Sequence, residues 1–329
     1  MHILKNTQFD FLRWRWHAIA LSWVVIIAGI VVIATKGLPR GIEFAGGTAV
    51  IAQFDQAPSI DAVRRALNRN FPGGGENAVV QTYGDPSLRQ VMVRVPQVGA
   101  EQGASLSSTA QAVEAALRKE NLGFRVVGTE IVGPAVGKEL EEKGLWAFGL
   151  SLVGILAYLA FRFQFSFAVG AVVATIHDIL VTLAFLAFFR YDMTLNVIAA
   201  ILTVTGYSTN DTIVIFDRVR ENMRSHRRDT LNDIINLAIN QTLGRTILTA
   251  GTALLSAIAL FVFGGEVLRG FAFTMIVGVI TGTYSSVFVA AAIVTFWRQK
   301  HRRPVVAPAE APAASQPARR TKQRKARAS

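Results

Sequence analysis

The sequence predicts a membrane α-helical protein with six transmembrane helices and an exported α+β domain of the ferredoxin-like (βαββαβ) kind. Two observations set the membrane class. Of the 329 residues 51% are hydrophobic and 17% charged, with a mean hydropathy of +0.38, a balance outside that of ordinary soluble domains. Six stretches, at 16–36, 145–163, 167–189, 195–216, 246–264 and 271–297, are each long enough to span, since a crossing helix takes about 20 mainly apolar residues. A third observation sets the exported domain: residues 37–143 lack such a stretch and alternate between periods of two and 3.6.

Residues 1–15 form a basic N-terminus with Lys5, Arg13 and Arg15. The first span, 16–36, is a permanent anchor. Its apolar core exceeds the roughly 7 to 15 residues of a signal peptide, and no small-x-small cleavage site follows it. Trp14, Trp16 and Trp23 suit interfacial anchoring.

Within 37–143, a strand is expected over 48–54. A helix follows over 59–71, with Ile60, Val63, Ala66 and Leu67 on one face. Strands at 78–83 and 88–95 are separated by Gly84-Asp85-Pro86. A second helix over 106–120 turns Leu106, Ala110, Val113 and Leu117 inward, and a last strand covers 124–131. That order is a split βαβ layout, with one antiparallel sheet carrying both helices on one face. The chain has no cysteine, so no disulfide staples the domain.

Five spans follow, over 144–297. Basic residues beside short connections orient them. Arg162 lies between the second and third spans, and Arg218, Arg220, Arg224, Arg227 and Arg228 lie in the connection 217–245. These share a side with the N-terminus. The opposite side holds Arg190 and Arg269, beside Asp192 and Glu266. Both termini are therefore cytoplasmic, as is the loop 217–245. The Ala/Pro-rich, then basic tail 298–329 carries much of the net charge of +12. Its composition predicts disorder and attraction to anionic lipids. No aromatic residue interleaves the basic cluster for base stacking.

Asp211 is the residue that most demands a function. An ionised Asp at the centre of a membrane helix costs about 2.5 to 3.5 kcal/mol on insertion scales, so it persists facing a polar interior, a partner or an ion path. Ser208, Asn210 and Thr212 surround it with hydroxyls and an amide. Arg245 opens the fifth span, at a depth that differs from that of Asp211 by roughly 7 to 8 Å at 1.5 Å per residue. A snorkelling guanidinium covers that gap. The alternative for the pair is a static salt bridge that fixes helix packing. His177 and Asp178 lie midway along the third span, where a proton relay and a neutral His bonded to backbone both remain open. The five His residues are scattered, and no metal site is expected. Gly41, Gly46 and Gly47 permit positive φ and form either a hinge or a structural turn between the first span and the domain.

Several ordered motifs carry a resemblance. They are Gly41-Ile42-Glu43-Phe44-Ala45-Gly46-Gly47, Val132-Gly133-Pro134-Ala135-Val136-Gly137, the run 206–222, Thr242-Leu243-Gly244-Arg245-Thr246, Phe263-Gly264-Gly265, and Gly282-Thr283-Tyr284-Ser285-Ser286. Over 11–297 the chain resembles the SecD/SecF family of bacterial protein-export membrane proteins, of the resistance-nodulation-division superfamily. The resemblance implies a periplasmic ferredoxin-like domain, an inner-membrane location and a partner, SecD, beside the SecYEG translocon and YidC. It implies unfolded secretory polypeptides as cargo, no enzymatic activity, no cofactor, and protons as the coupling ion. No Gly-rich loop followed by Lys-Ser or Lys-Thr is present. Asp211 matches the family's membrane carboxylate and Arg245 its basic residue; both are implicated there in proton conduction. The His-Asp pair at 177–178 also occurs in the family. Glu43 stands where the family usually has Asp. A non-conducting scaffold and half of a proton-driven small-molecule or lipid exporter are the rival readings.

Overall fold

The computed structural model describes residues 7–56, 59–72, 75, 78–84, 86–95, 103–162, 165–226 and 228–300. In chain order the elements are α1 (Arg15–Lys36), α2 (Ile42–Ala45), β1 (Gly47–Phe54), α3 (Ile60–Asn70), β2 (Val79–Tyr83), β3 (Gln90–Val95), α4 (Gly103–Arg118) and β4 (Phe124–Val132). The remainder is helical: α5 (Pro134–Arg162), α6 (Phe165–Phe188), α7 (Leu195–Ser225), α8 (Leu231–Phe263) and α9 (Gly265–Ser285). A π-helical turn at Ser286–Ala290 then leads into α10 (Ala291–Lys300).

The four strands make one sheet of order β2-β3-β1-β4, with every neighbouring pair antiparallel. The period-two pattern explains its core. Val50, Ala52 and Phe54 of β1 and Val91 and Val93 of β3 face Val63, Ala66 and Leu67 of α3 and Val113, Ala116 and Leu117 of α4, all buried together. Ala110 packs against this cluster as expected, whereas the side chain of Leu106 lies outside the described residues. The third strand begins two residues later than the sequence predicts. Pro86–Leu88 forms a 3-10 turn, and Arg89 takes a φ of +50°, which breaks the extended run.

Five helices, at Leu12–Lys36, Val136–Arg162, Phe165–Phe188, Leu231–Phe263 and Val267–Trp297, are long and apolar enough to cross a membrane. Helix α7 is long enough, but the polar run 205–212 lowers its apolarity. The connection 217–245 continues α7 as far as Ser225 and is helical again from Leu231, in α8. Its polar residues mask an apolar stripe, since Ile234, Ile235, Ala238 and Ile239 are all buried. Thr230 caps α8 by accepting from the Asp233 N–H. Gln241 then accepts from both Arg218 Nε and Asn222 Nδ2, tying the end of α7 to α8. The N-terminal segment lies on the same helix: Asn240 and Asn236 bond to Phe9, Asp10 and Leu12. The tail beyond residue 300 lies outside the described residues.

Helix α9 packs against α6, α7 and α8. Close approach is needed there, because a Cβ added to Gly278 would strike the Val204 side chain and one on Gly282 would fall 2.8 Å from Ser208. Gly251, by contrast, faces open space. Many hydroxyls of these helices and of α10 are satisfied locally; Thr175, Thr205, Thr274, Thr283 and Thr295 each donate to a carbonyl four residues back.

Candidate functional site

The bundle interior is layered. Towards one end Phe167, Ala168, Ala171, Ile215, Phe216, Val287 and Ala290 form a buried apolar cluster; towards the other Leu186, Val197, Ile201 and Phe273 form a second. Between them in α6, α7, α9 and the start of the π turn lie Thr175, His177, Asp178, Ser208, Asp211, Thr212, Ser285 and Ser286, all buried. Each carboxylate in this layer is held by hydroxyls from other helices. Asp178, 1% exposed, accepts through Oδ2 from Ser208 Oγ at 2.5 Å and Ser285 Oγ at 2.8 Å. Its Oδ1 lies 2.9 Å from His177 Nδ1. Asp211, 6% exposed, accepts through Oδ1 from Thr246 Oγ1 at 2.7 Å and through Oδ2 from Ser286 Oγ at 2.5 Å.

Among the residues singled out from sequence, the structure thus brings Ser208 to Asp178 and buries His177, Asp178, Ser208, Asp211 and Thr212 together. Asn210 is exposed on the outer side of α7. Thr246, not Arg245, reaches Asp211, and Arg245 is exposed. The expected Asp211–Arg245 pair is therefore not formed in this arrangement. Sequence reasoning assigns Ser285, Ser286 and Thr246 no role; for the two serines the only signal lies outside their own span, in the Asp carried by each of two other spans. His177 Nε2, Thr182 Oγ1 and Thr209 Oγ1 are buried with no hydrogen-bond partner among the described residues, so the layer retains unused polar capacity.

The glycine motif lies elsewhere, where the sheet meets one end of the bundle. Gly41 N–H donates to Met193 O at 2.7 Å and Met193 N–H to Pro39 O at 2.8 Å, a short bridge between the linker and the α6–α7 connection. A Cβ on Gly41 would strike Met193 O. Gly46 and Gly47 have φ of +66° and +122°, which turns the chain from α2 into β1. Gly137, in the second glycine motif, lets α5 approach the carbonyls of Glu43 and Phe44. Arg190 donates to the carbonyls of Lys36 and Gly37 at the end of α1.

Arg94 on β3 completes this junction. It is 9% exposed, donates to Asp192 Oδ2 at 2.6 Å and to Arg40 O at 3.0 Å, and borders a cavity of about 340 Å³ shared with Glu43, Glu130 and Arg269. Burial pushes the Glu43 carboxyl above its ordinary range; Glu130 and Asp192 add to that, while a backbone hydrogen bond and Arg94 oppose it. Because the folded state holds this proton more tightly than the unfolded chain, stability falls as pH rises from the ordinary carboxylate range through the folded value. Glu43→Gln is expected to remove that slope and to raise the melting temperature at neutral pH, measured by thermal unfolding of the purified protein between pH 4 and pH 8.

Several helices long and apolar enough to cross a membrane, with buried carboxylates among them and a small antiparallel sheet joined to them, define a multi-span membrane protein. The chain belongs to the SecD/SecF family of protein-export membrane proteins. The family model for the C-terminal part of the protein-export membrane proteins SecD and SecF matches residues 112–300, and the model for their GG motif matches residues 31–58. The protein translocase subunit SecF of Desulfurispirillum indicum is 40% identical over 304 residues, which is 92% of this chain and 95% of that protein. The crystal structure of SecDF, a translocon-associated membrane protein from Thermus thermophilus, matches with a TM-score of 0.79 at 34% identity. A SecDF structure in a super-membrane-facing form matches at 0.65 and 33%. In both the match covers 91% of this chain and 40% of the SecDF chain, so the chain spans less than half of SecDF.

Proposed function

We propose that this chain is a SecF subunit of the bacterial Sec protein translocase and that, with SecD, it uses the proton motive force to drive late steps of protein export. In this reading it crosses the inner membrane six times, α7 being the polar span, with both termini cytoplasmic and the sheet unit a ferredoxin-like periplasmic domain. It is a transport component and not an enzyme, needs no cofactor beyond the coupling proton, and works beside SecYEG and YidC on unfolded secretory polypeptides. Its basic tail adds attraction to anionic lipids. The observation that carries the reading is the pair of buried carboxylates, each held by hydroxyls of other helices, in a chain of this family.

The energetics are adequate. One charge crossing 100 mV yields about 2.3 kcal/mol and each pH unit about 1.4. A bias of ~2.3 kcal/mol shifts a two-state equilibrium roughly 50-fold. The test is completion of export of a secretory protein into inverted membrane vesicles after SecA is inhibited, with the proton gradient on or off and SecD present or depleted. Completion that accelerates only with both gradient and SecD supports the reading; completion indifferent to the gradient overturns it.

A further inference from the structure

Ser285 and Ser286 are consecutive, yet each bonds a different buried carboxylate on a different helix. Ser285 Oγ lies 2.8 Å from Asp178 Oδ2 and 3.2 Å from the carbonyl of Gly282. Ser286 Oγ lies 2.5 Å from Asp211 Oδ2 and 3.0 Å from the carbonyl of Thr283. Each hydroxyl has one proton to donate and two acceptors within reach. An ionised carboxylate accepts the serine's hydrogen bond; a protonated one donates its own hydrogen to the serine oxygen and leaves the serine to bond the helix carbonyl. The charge state of each Asp is thereby expressed in the hydrogen bonding of α9.

The position along α9 matters. The π turn starts at Ser286, where the backbone ladder already departs from the α register. Because the two serines share one peptide unit, a shift that relaxes one contact displaces the other. We propose that Asp178 is a second proton-binding carboxylate of this site and that Ser285 and Ser286 make its proton occupancy depend on that of Asp211.

The proposal rests on the proton-driven reading above and adds to it a second group and the link between the two. The other titratable groups on the surrounding helices are few. His177 on α6 bonds Asp178 directly. Tyr207 stands one turn before Asp211 on α7, Tyr284 on α9 bonds Ala18 O of α1, and Tyr158 on α5 shares a surface groove with Asn210. Arg245 on α8 is exposed, and α10 has no titratable group among its described side chains. Neither carboxylate has a cation from another helix against it among the described ion pairs; Ser208, one turn before Asp211, ties Asp178 to α7, and the adjacent pair Ser285 and Ser286 is the link that touches both carboxylates directly.

Infrared titration of the full chain in lipid vesicles, following the C=O band of protonated carboxyl groups, tests this. Two bands are expected from the bundle, one lost in Asp178→Asn and the other in Asp211→Asn. The Asp178 midpoint should move by about one pH unit, a tenfold change in proton affinity, when Asp211 becomes Asn. Ser286→Ala, which keeps both carboxylates, should reduce that shift. Should Asp178→Asn not fold, the displaced band of Asp178→Glu makes the assignment. An Asp178 that does not titrate, or whose midpoint ignores Asp211, or a shift that survives Ser286→Ala unchanged, overturns the inference. Those outcomes with gradient-dependent completion intact overturn it alone; gradient-independent completion with the coupling intact overturns only the proton-driven reading.

Discussion

Asp211→Asn is expected to reduce completion of export in the presence of a proton gradient to the rate seen without one, at equal subunit levels and with SecD still bound. The argument is one of shape against charge. The amide is nearly isosteric, so α7 keeps its packing on α9 and its contact with Thr246. Ser286, meeting an amide in place of Oδ2, can turn its proton to the Thr283 carbonyl already 3.0 Å away. The net loss of one neutralised hydrogen bond amounts to about 1 kcal/mol of stability, which leaves the protein folded. What the substitution removes is the ability to bind and release a proton. A scaffold would be indifferent to it, and unchanged completion would favour that reading.

Arg94→Ala is expected to loosen the sheet unit from the bundle while leaving each intact. The Arg94–Asp192 pair is mostly buried, with side chains 10% and 18% exposed. Removing one partner of such a pair leaves the other desolvated and unpaired, at about 3 kcal/mol or more. Hydrogen exchange should quicken at Gly41 and Met193, whose N–H groups make the bridge between the two parts, and remain slow in β1 and β3. Arg94→Met with Asp192→Leu, which replaces both charges with apolar bulk, should recover most of the protection. Equal loss of protection through the sheet core would show instead that Arg94 supports the fold of the sheet itself.

Much of this architecture was legible in the sequence, and the exceptions have physical causes. Strand and helix periods in the sheet unit were readable because a single apolar face per element alternates with polar residues. Asp211 was readable because a carboxylate in an apolar span has no bland explanation. The first turns of α8, 231–245, were hidden, since the polar Asn232, Asn236, Asn240 and Gln241 outweigh the buried stripe of Ile234, Ile235 and Ile239 in any average. Ser285 and Ser286 were hidden for the opposite reason. A hydroxyl in a membrane helix satisfies itself on its own backbone, as Thr205 and Thr295 do, so nothing in the local sequence distinguishes a serine that turns outward to another helix. Arg245 shows the limit of depth arithmetic: a reachable distance along the axis does not fix the direction in which a side chain points.

The two apolar clusters that bracket the carboxylates are unequal. One runs through Phe167, Ala171, Phe216, Ile235, Ile239 and Val294, all buried; the other has Leu186, Val197 and Ile201 buried, with partly exposed side chains such as Leu183, Tyr191 and Phe273 packed against them. In a membrane, voltage falls across dry segments and hardly at all across wetted ones. On the proposed proton-driven reading with the sheet unit outside, a proton reaching the carboxylates past the thin seal would cross a small share of the potential, and one leaving past the thick seal the larger share. Uptake would then respond mainly to external acidity and release mainly to membrane potential, so the two components of the gradient would act on different halves of one cycle.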